Sequence, residues 1–325
     1  MYAWQFQKYG KFDSALHWDE RPTPKVEDGQ ALIKTAAVSL NFPDLLIIQG
    51  LYQNKAPLPA VPGVEGVGTV VEVGAGSKFE VDQRVVGFSH SGGTLADYFL
   101  VNNDCAWQVP DHVSDTQAAT LSVTYGTSYF GVKHRGQIEA GEVLLVLGAS
   151  GGVGTAAIQL GKAFGATVIA AAGSAEKLTV CSDLGADHVI NYREENIVER
   201  VKALTDGRGA DVIYDPIGGD MFDQVKRCVN WEGRIVIIGF ASGRIPEIEC
   251  NRLLLKNMSV VGLAWGQYLQ RSPAKGEACQ FHLYEMLAEG KIDPLIYREL
   301  PFNQAIEGLR LMDSRELYGK IVITR

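Results

Sequence analysis

The stretch from residue 143 to 154, Val-Leu-Leu-Val-Leu-Gly-Ala-Ser-Gly-Gly-Val-Gly, is the part of the chain whose residue types and spacing point most directly to chemistry. Its apolar run, Val143–Leu147, lacks polar alternation and predicts a strand buried on both faces of a parallel sheet, with a helix over 155–164. Glycines at this junction let a diphosphate approach the backbone, and the helix N-terminus attracts its charge. The pattern predicts a dinucleotide site built from Ser150, Gly151, Gly152, Val153 and Gly154.

A purely steric turn is the alternative for this stretch, because glycines also allow a helix to pack closely on a strand. Alanine stands at 149, the first position of the usual glycine pattern. A second apolar strand, predicted over Thr167–Ala172, follows at the spacing of a βαβ unit. This context favours the nucleotide site.

The end of the second strand indicates which nicotinamide cofactor is used. NAD-specific domains place Asp or Glu there to bind the ribose 2′-hydroxyl, whereas this chain has Ala171-Ala172-Gly173-Ser174. Small residues leave room for a 2′-phosphate, Ser174 can donate a hydrogen bond to it, and Lys177 can reach it. Alternatively, Ser174 only caps a helix and Lys177 is a solvated surface charge. The absent acid together with these donors favours NADPH.

Two domains are expected from 325 residues of ordinary globular composition, 46% hydrophobic and 21% charged. Residues 1 to about 120 show short strands punctuated by Gly and Pro, which predicts an irregular β-barrel. From Val143 onward strands alternate with helices, which predicts a doubly wound parallel sheet. We place the barrel at 1–122, the cofactor domain at 123–265 and a return to the barrel domain at 266–325. The predicted strands are 30–38, 68–73, 84–88, 96–101, 143–147, 167–172, 188–191, 212–214, 234–239, 259–263 and 320–324; the predicted helices are 115–126, 155–164, 176–184, 196–205, 221–229 and 278–290.

Charge and cysteine usage exclude several classes of partner. The formal net charge is −8 and no cluster of Lys and Arg is present, so we expect neither a nucleic-acid nor a membrane partner. The five cysteines are scattered without CxxC spacing, which is typical of reduced thiols. No apolar stretch has the length of a membrane span, and the N-terminus lacks the pattern of a signal peptide. We expect a cytoplasmic protein.

Several separated motifs occur in a characteristic order along the chain. They are Asn41-Phe42-Pro43-Asp44, Gly50-Leu51-Tyr52, Pro62-Gly63-Val64-Glu65-Gly66-Val67-Gly68, Val123-Thr124-Tyr125-Gly126-Thr127, the glycine turn and Gly319-Lys320-Ile321-Val322. With these motifs the sequence resembles the medium-chain dehydrogenase/reductase superfamily, and within it the zinc-independent quinone oxidoreductase branch related to zeta-crystallin. The resemblance implies a GroES-like catalytic domain, a Rossmann domain that binds NADPH, and a homodimer whose Rossmann sheets join edge to edge.

The resemblance also bears on zinc. Zinc-dependent members place Cys where this chain has Asn41 and His where it has Val64, and a tetrahedral site needs three protein ligands. We therefore expect no metal. We interpret the histidines as surface or satisfied core residues, because none of them has the spacing of metal ligands; they are His17, His90, His112, His134, His188 and His282. Without a Lewis acid, hydride transfer favours a conjugated acceptor, which delocalises the incoming charge.

The resemblance assigns further residues to the site. It places Asn41 and Thr127 beside the nicotinamide, Tyr52 in the substrate cleft and Tyr192 on the 2′-phosphate. Loops at the carboxyl ends of the predicted strands, where open α/β sheets bind ligands, add cofactor contacts at Ile217, Ile238, Gly239, Phe240, Leu263 and Trp265. Structural roles are the alternatives: Asn41 and Thr127 as caps, Tyr192 packed against a loop, and Tyr52 as a barrel aromatic.

Three functions remain open at this point. The first is NADPH-dependent reduction of a quinone. The second is reduction of the C=C bond of α,β-unsaturated aldehydes, ketones or acyl thioesters on the same scaffold. The third is a nucleotide-binding structural protein of crystallin type. All three share the nucleotide site, and only the first two oxidise the cofactor.

Overall fold

The structure, a computed structural model, describes residues 1–89 and 92–325. His90 therefore lies outside the described residues. The chain divides into two compact units. Unit 1 comprises Met1–Val123, Gly266–Ala288 and Pro294–Arg325, and unit 2 comprises Thr124–Trp265 and Glu289–Asp293.

The strands and helices are numbered here in chain order. The strands are β1 (Tyr2–Gln5), β2 (His17–Glu20), β3 (Gln30–Ser39), β4 (Glu65–Val73), β5 (Arg84–Phe88), β6 (Tyr98–Asn102), β7 (Ala106–Gln108), β8 (Val143–Leu147), β9 (Thr167–Ala172), β10 (His188–Asn191), β11 (Ala210–Asp215), β12 (Val229–Ile237), β13 (Ser259–Gly262), β14 (Ile296–Pro301) and β15 (Lys320–Thr324). The α-helices are α1 (Phe12–Ala15), α2 (Phe42–Gln49), α3 (Asp115–Thr120), α4 (Gly126–Tyr129), α5 (Gly152–Ala163), α6 (Ala175–Asp183), α7 (Ile197–Leu204), α8 (Gly219–Val225), α9 (Cys250–Lys256), α10 (Trp265–Arg271), α11 (Pro273–Ala288) and α12 (Ala305–Ser314).

Unit 1 is built on a sheet with the order β14-β15-β3-β4-β5-β7, and β6 also pairs with β3. Its pairs are antiparallel except β14 with β15, which are parallel. The C-terminal strand β15 pairs with β3, so the end of the chain completes the sheet begun by its first part. One buried apolar cluster of these strands includes Ile33, Val70, Val85 and Phe99.

Unit 2 contains a parallel sheet with the order β10-β9-β8-β11-β12-β13. Successive residues of one strand belong to different cores: Leu145 packs in one apolar cluster and Leu144 with Val146 in another. Alternate side chains point to opposite faces of a strand, so both faces of the sheet are covered. The sheet order reverses between β8 and β11, and in such sheets ligands bind at the carboxyl ends of the strands on either side of the reversal.

The helical passage from Asp115 to Arg135 is interrupted twice by π-helical turns. Ser114 caps its start by accepting a hydrogen bond from the Gln117 N–H. The π-helical segments are Leu121–Tyr125 and Phe130–Arg135, and α4 lies between them. The sequence predicts only a helix over 115–126, because a period of 3.6 residues gives no sign of wider turns.

The predicted fold class is confirmed, and β5, β8, β9, β10 and β15 have the predicted bounds. Some boundaries were wrong. Helix α5 begins at Gly152 and not at 155, because two glycines occupy its first turn; the helix predicted over 221–229 ends at Val225, because Val229 already begins β12. The short helices α2 and α12 were missed. Among the described residues, no helix combines the length and the apolar character needed to cross a membrane.

Candidate functional site

The glycine turn connects the buried strand β8 to α5. Gly148 has a φ of +56°, a left-handed conformation that favours glycine, and its carbonyl accepts the Gly151 N–H at 3.0 Å. The Ala149 N–H donates to the Ala171 carbonyl at 3.1 Å, which joins the turn to the end of β9. The helix begins directly after Gly151, so its first N–H groups lie at the carboxyl edge of the sheet.

Packing requires a glycine at position 154 but not at position 151. A Cβ at Gly154 would lie 2.4 Å from the Gly148 carbonyl oxygen and 2.7 Å from backbone atoms of Ala149, so the turn itself excludes a side chain there. At Gly151 the backbone is extended, with φ −77°, and a Cβ would meet only the Gly148 carbonyl oxygen at 3.4 Å. Packing therefore does not require glycine at 151. The approach of a diphosphate to this backbone stays a prediction.

The remaining residues of the turn are packed. Ser150 is buried, and Gly152 is the first residue of α5. The Val153 side chain packs on the core, and its carbonyl accepts a hydrogen bond from the Ser128 Oγ at 2.9 Å. The half-buried Thr127 precedes Ser128 in α4. Thr127 is thus placed next to a residue that binds the backbone of the glycine turn.

The end of β9 brings together the residues predicted to select the cofactor. The Ser174 Oγ accepts a hydrogen bond from the Lys177 N–H and so caps α6. A Cβ at Gly173 would lie 3.0 Å from both the Tyr192 hydroxyl oxygen and the Arg193 Nε, so both side chains lie against this glycine. Arg193 is exposed, and sequence reasoning missed it, although it stands only two positions after a predicted strand end.

The loops after β11, β12 and β13 hold the other predicted contacts. Ile217 lies beside Gly148, because a Cβ added at this glycine would be 3.5 Å from the Ile217 side chain. Phe240 lies beside Gly218 in the same way. The Ile238 and Gly239 N–H groups both donate to the Asp215 carbonyl, and the Leu263 N–H donates to that of Ile237. The Trp265 ring is buried against Gly126 and Phe130, and this packing accounts for its position. Contacts of these residues with the cofactor stay predictions.

Asp215 at the end of β11 is fully buried. One carboxylate oxygen accepts the Ile217 and Gly218 N–H groups, each at 2.8 Å, and Oδ2 has no hydrogen-bond partner among the described residues. Burial raises the pKa of Asp215, although the two N–H groups oppose this. The side chain thus holds the turn Pro216–Gly219, as an aspartate that accepts hydrogen bonds from the backbone of the residues after it.

A buried polar cluster in unit 1 surrounds Asn41, at the N-terminus of α2. The Asn41 amide donates to the Ser39 carbonyl at 3.1 Å and to the Glu65 carboxylate at 2.8 Å, while its Oδ1 accepts from the Lys320 Nζ at 2.6 Å. Asp44 accepts the Asn41 N–H at 2.7 Å and the Gly63 N–H at 3.0 Å. Burial raises the pKa of Asp44 to about 7, against the lowering effect of these hydrogen bonds and of Lys320.

Sequence reasoning missed the charged members of this cluster. Asp44 and Glu65 lie in quoted motifs, but no role was assigned to them, and Lys320 stands 279 positions from Asn41. A lysine at the start of a strand ordinarily predicts an exposed side chain, whereas Lys320 is 5% exposed. No local sequence pattern predicts such a contact.

Tyr52 lies in unit 1 near this cluster and is half-buried. Burial raises the pKa of its hydroxyl, and the negative charge of Asp44 adds to the effect. The phenol is therefore a neutral donor at physiological pH. Its proximity to a substrate stays a prediction.

Zinc ligation can be assessed from the side chains at the family's ligand positions. Val64 is a buried apolar residue, and Asn41 is engaged in the polar cluster. Within residues 1–89 and 92–325 no group of three or more His, Cys, Asp or Glu side chains is placed to hold a metal ion. The donor set at this position does not fit a zinc ion.

Two family models match the chain. The model described as "Alcohol dehydrogenase GroES-like domain" matches residues 27–111, and that described as "Zinc-binding dehydrogenase" matches residues 152–279. The second match does not include Asn41 or Val64, which lie within the first.

Named relatives cover nearly the whole chain. A quinone oxidoreductase-like protein 2 homolog of Nematostella vectensis is 38% identical over 308 residues, 94% of this chain and 84% of the relative. The Escherichia coli quinone oxidoreductase complexed with NADPH is 28% identical with a TM-score of 0.92, and all of both chains is covered. The CurK enoyl reductase is 26% identical with a TM-score of 0.88, and 99% of this chain and 98% of that one are covered.

Proposed function

This chain belongs to the quinone oxidoreductase family of the medium-chain dehydrogenase/reductase superfamily, and from that premise we propose that it is an NADPH-dependent reductase whose substrates are quinones. It is an oxidoreductase that binds a cofactor of the NAD(P) type. The preference for NADPH and the choice of acceptor are the proposal. The Escherichia coli relative was crystallised with NADPH, which supports the first part.

The group around Gly173 is the observation that carries the cofactor choice. The residues directly after β9, Gly173 and Ser174, carry no carboxylate. Tyr192 and Arg193 lie against Gly173. Ser174 caps α6 as an acceptor, and its hydroxyl proton remains able to donate to a phosphate, so capping and phosphate binding are compatible. Arginine matches phosphate geometry with a fork of donors, which adds a contact that NADH cannot use.

The roles proposed for the other residues follow from the family resemblance. When bound, the nicotinamide supplies the hydride. The α5 N-terminus and the backbone at Gly151 hold the diphosphate, while Asn41 and Thr127 orient the ring and Tyr52 lines the acceptor site. The amide at 41 and the isopropyl group at 64 do not bind zinc, so an acceptor that delocalises the incoming charge suits this site best.

The test is a panel of acceptors assayed with NADPH and with NADH. Menadione represents quinones, crotonaldehyde enals and crotonyl-coenzyme A enoyl thioesters. We expect NADPH oxidation with menadione as the best acceptor. A wild-type preference for NADH, or inertness toward quinones while an enal or thioester is reduced, would refute the corresponding part of the proposal.

Lys177→Ala and Arg193→Ala test the phosphate site directly. Loss of a charged hydrogen bond costs about 1.5–3 kcal/mol, so each should raise the Michaelis constant for NADPH about tenfold or more and leave that for NADH unchanged. Arg208→Ala, which removes an exposed cation from the turn after α7, is the matched control. Equal effects on both cofactors would show that the 2′-phosphate site is misassigned.

Reduction of a conjugated C=C bond is the second candidate, and the likeness to the CurK enoyl reductase favours it. It needs the same cofactor site, so only the acceptor panel separates it from quinone reduction. A crystallin-type structural role would be supported if NADPH binds and no acceptor in the panel is reduced.

We also propose that the chain forms a homodimer through unit 2. Strand β13 lies at the edge of the described sheet, with β12 as its neighbour on one side only. Exposed apolar side chains stand nearby in sequence: Leu254 and Leu255 in α9 are 75% and 69% exposed, and Ile245 is 70% exposed. An open strand edge with apolar neighbours is the surface a second copy would cover.

A further inference from the structure

The Asn41 carboxamide is held by two opposite charges inside unit 1. Its Nδ2 donates to the Glu65 Oε1 at 2.8 Å and its Oδ1 accepts from the Lys320 Nζ at 2.6 Å. Asn41 is 4% exposed, Lys320 5% and Glu65 0%. All three side chains belong to the same compact unit.

The two charges determine which way the amide points. Rotating the carboxamide by half a turn would place Oδ1 against the Glu65 carboxylate and the NH₂ group against the Lys320 ammonium. Two favourable hydrogen bonds would become two repulsive contacts in a buried site, where such contacts are costly. The second Nδ2 proton is also used, since it donates to the Ser39 carbonyl at 3.1 Å.

Both charged groups are themselves fixed. The other Glu65 oxygen, Oε2, accepts from the Ser122 Oγ at 2.7 Å and from the Val123 N–H at 2.8 Å. Lys320 Nζ also donates to the Leu40 carbonyl at 2.7 Å. Burial lowers the pKa of Lys320, while Glu65 and Asp44 raise it. Neither side chain can turn away from Asn41 without leaving buried partners unsatisfied.

We infer that Glu65 and Lys320 are positioning residues for hydride transfer, which act by fixing the orientation of the Asn41 carboxamide. The inference rests on the proposed function, because only that proposal places Asn41 beside the nicotinamide. This role requires no contact of either residue with the reacting atoms. Their effect on the rate passes entirely through Asn41.

Glu65→Gln is the principal variant because it keeps the size of the side chain. Its new NH₂ group must face either the Val123 N–H or the Asn41 amide, and one donor is left opposite another. A misplacement of about 1 Å near the chemistry costs up to about a hundredfold in rate. We expect kcat to fall about tenfold to a hundredfold with a larger primary isotope effect from deuterated NADPH, while the dissociation constant for NADPH changes less than about twofold.

A readout in the cofactor-free protein separates positioning from activity. With isotope-labelled asparagine, the side-chain amide signal of Asn41 is identified by its absence in Asn41→Ala. We expect slow hydrogen exchange of this amide in the wild type and faster exchange in Glu65→Gln. Unchanged exchange would overturn the inference.

A double-mutant cycle with Asn41→Ala decides whether Glu65 acts through Asn41. We expect Glu65→Gln to add little to the loss already caused by Asn41→Ala, because residues acting through one group are not additive. Full additivity overturns the positioning role and leaves the proposed function intact. An unchanged kcat in Asn41→Ala overturns the role proposed for Asn41 and the positioning role with it.

Two further variants distinguish a positioning role from a folding defect. Lys320→Met removes the ammonium and keeps the stem, so the same cycle can be measured with it if Glu65→Gln does not fold. Val322→Ala shortens a fully buried side chain of the same strand, β15, without touching the cluster. It should lower stability and leave kcat, the isotope effect and the Asn41 amide exchange unchanged; if it reproduces the Glu65→Gln kinetics, the effect is structural and the inference fails.

Discussion

Gly151 and Gly154 stand three residues apart in one turn, and their replacement should separate ligand binding from stability. A Cβ at 154 would lie 2.4 Å from the Gly148 carbonyl oxygen, where ordinary contact begins at 3.4 Å, so the turn must open by the difference, 1.0 Å. Such overpacking costs about 1–3 kcal/mol, and replacing a helical glycine by alanine returns about 0.5–1 kcal/mol. Gly154→Ala should therefore destabilise unit 2 by about 1–2 kcal/mol, which lowers its Tm by about 2–8 °C.

Gly151→Val should show the opposite pattern. The extended backbone at 151, with φ −77° and ψ 171°, accepts a β-branched residue, and a Cβ there meets a single atom at 3.4 Å. Stability should change by less than about 0.5 kcal/mol. The added side chain occupies the space of the diphosphate, and losing about 1.5–3 kcal/mol of charged hydrogen bonding weakens NADPH binding at least about tenfold.

The assay measures thermal unfolding without ligand and then titrates the folded proteins with NADPH by fluorescence. Gly262→Val is the control, because a Cβ at this glycine of β13 meets no atom within 4 Å. Near-normal NADPH affinity in a folded Gly151→Val protein would show that the diphosphate lies elsewhere. A Gly154→Ala protein as stable as the wild type would refute the packing argument.

Three further predictions concern metal, pH and assembly. Treatment with a strong chelator should leave activity unchanged, and stoichiometric zinc in the purified protein, or activity lost and restored by zinc, would contradict this. Because burial raises the pKa of Asp215 above its value in the unfolded chain, its contribution to stability is full below the unfolded pKa and is lost as pH rises through the folded pKa. Measured by urea unfolding, the free energy of unfolding of Asp215→Asn relative to that of the wild type should therefore increase from acid to neutral pH. A difference that does not change with pH would refute the raised pKa of Asp215. Leu254→Glu combined with Leu255→Glu should convert a dimer to monomers in sedimentation experiments, whereas Leu51→Glu, at an exposed leucine of unit 1, should not; a wild-type monomer would refute the dimer.

The sequence predicts best where a residue's neighbours are local. Strands β8 and β9 are continuous apolar runs bounded by turns, so their bounds can be predicted from the pattern alone. The glycine turn is equally local, and the βαβ order predicts its place at the carboxyl edge. Helix α2 was missed because it has only eight residues and includes Pro43 in its first turn.

Contacts between distant parts of the chain could not be predicted. The cluster around Asn41 depends on β15 pairing with β3, which places Lys320 beside a residue 279 positions away. Periodicity shows that a strand end is near solvent or core, but it does not show which partner the strand finds. Arg193 was missed for a related reason, since its position against Gly173 depends on the pairing of β10 with β9.

The π-helical turns on either side of α4 determine where this segment can lose a residue. A π turn holds one residue more than an α turn, and each residue of an α-helix advances the direction of its side chain by about 100°. Deleting one residue from Leu121–Tyr125 would convert the wide turn to a regular α turn and leave Thr127 facing nearly the same way. Deleting one residue from the regular helix α3 would instead change the direction of Thr127 by about 100° relative to the start of that helix, although Thr127 itself is untouched. Single-residue deletions should thus be tolerated better in Leu121–Tyr125 than in α3, and related chains with a regular α-helix here should be one residue shorter in this segment.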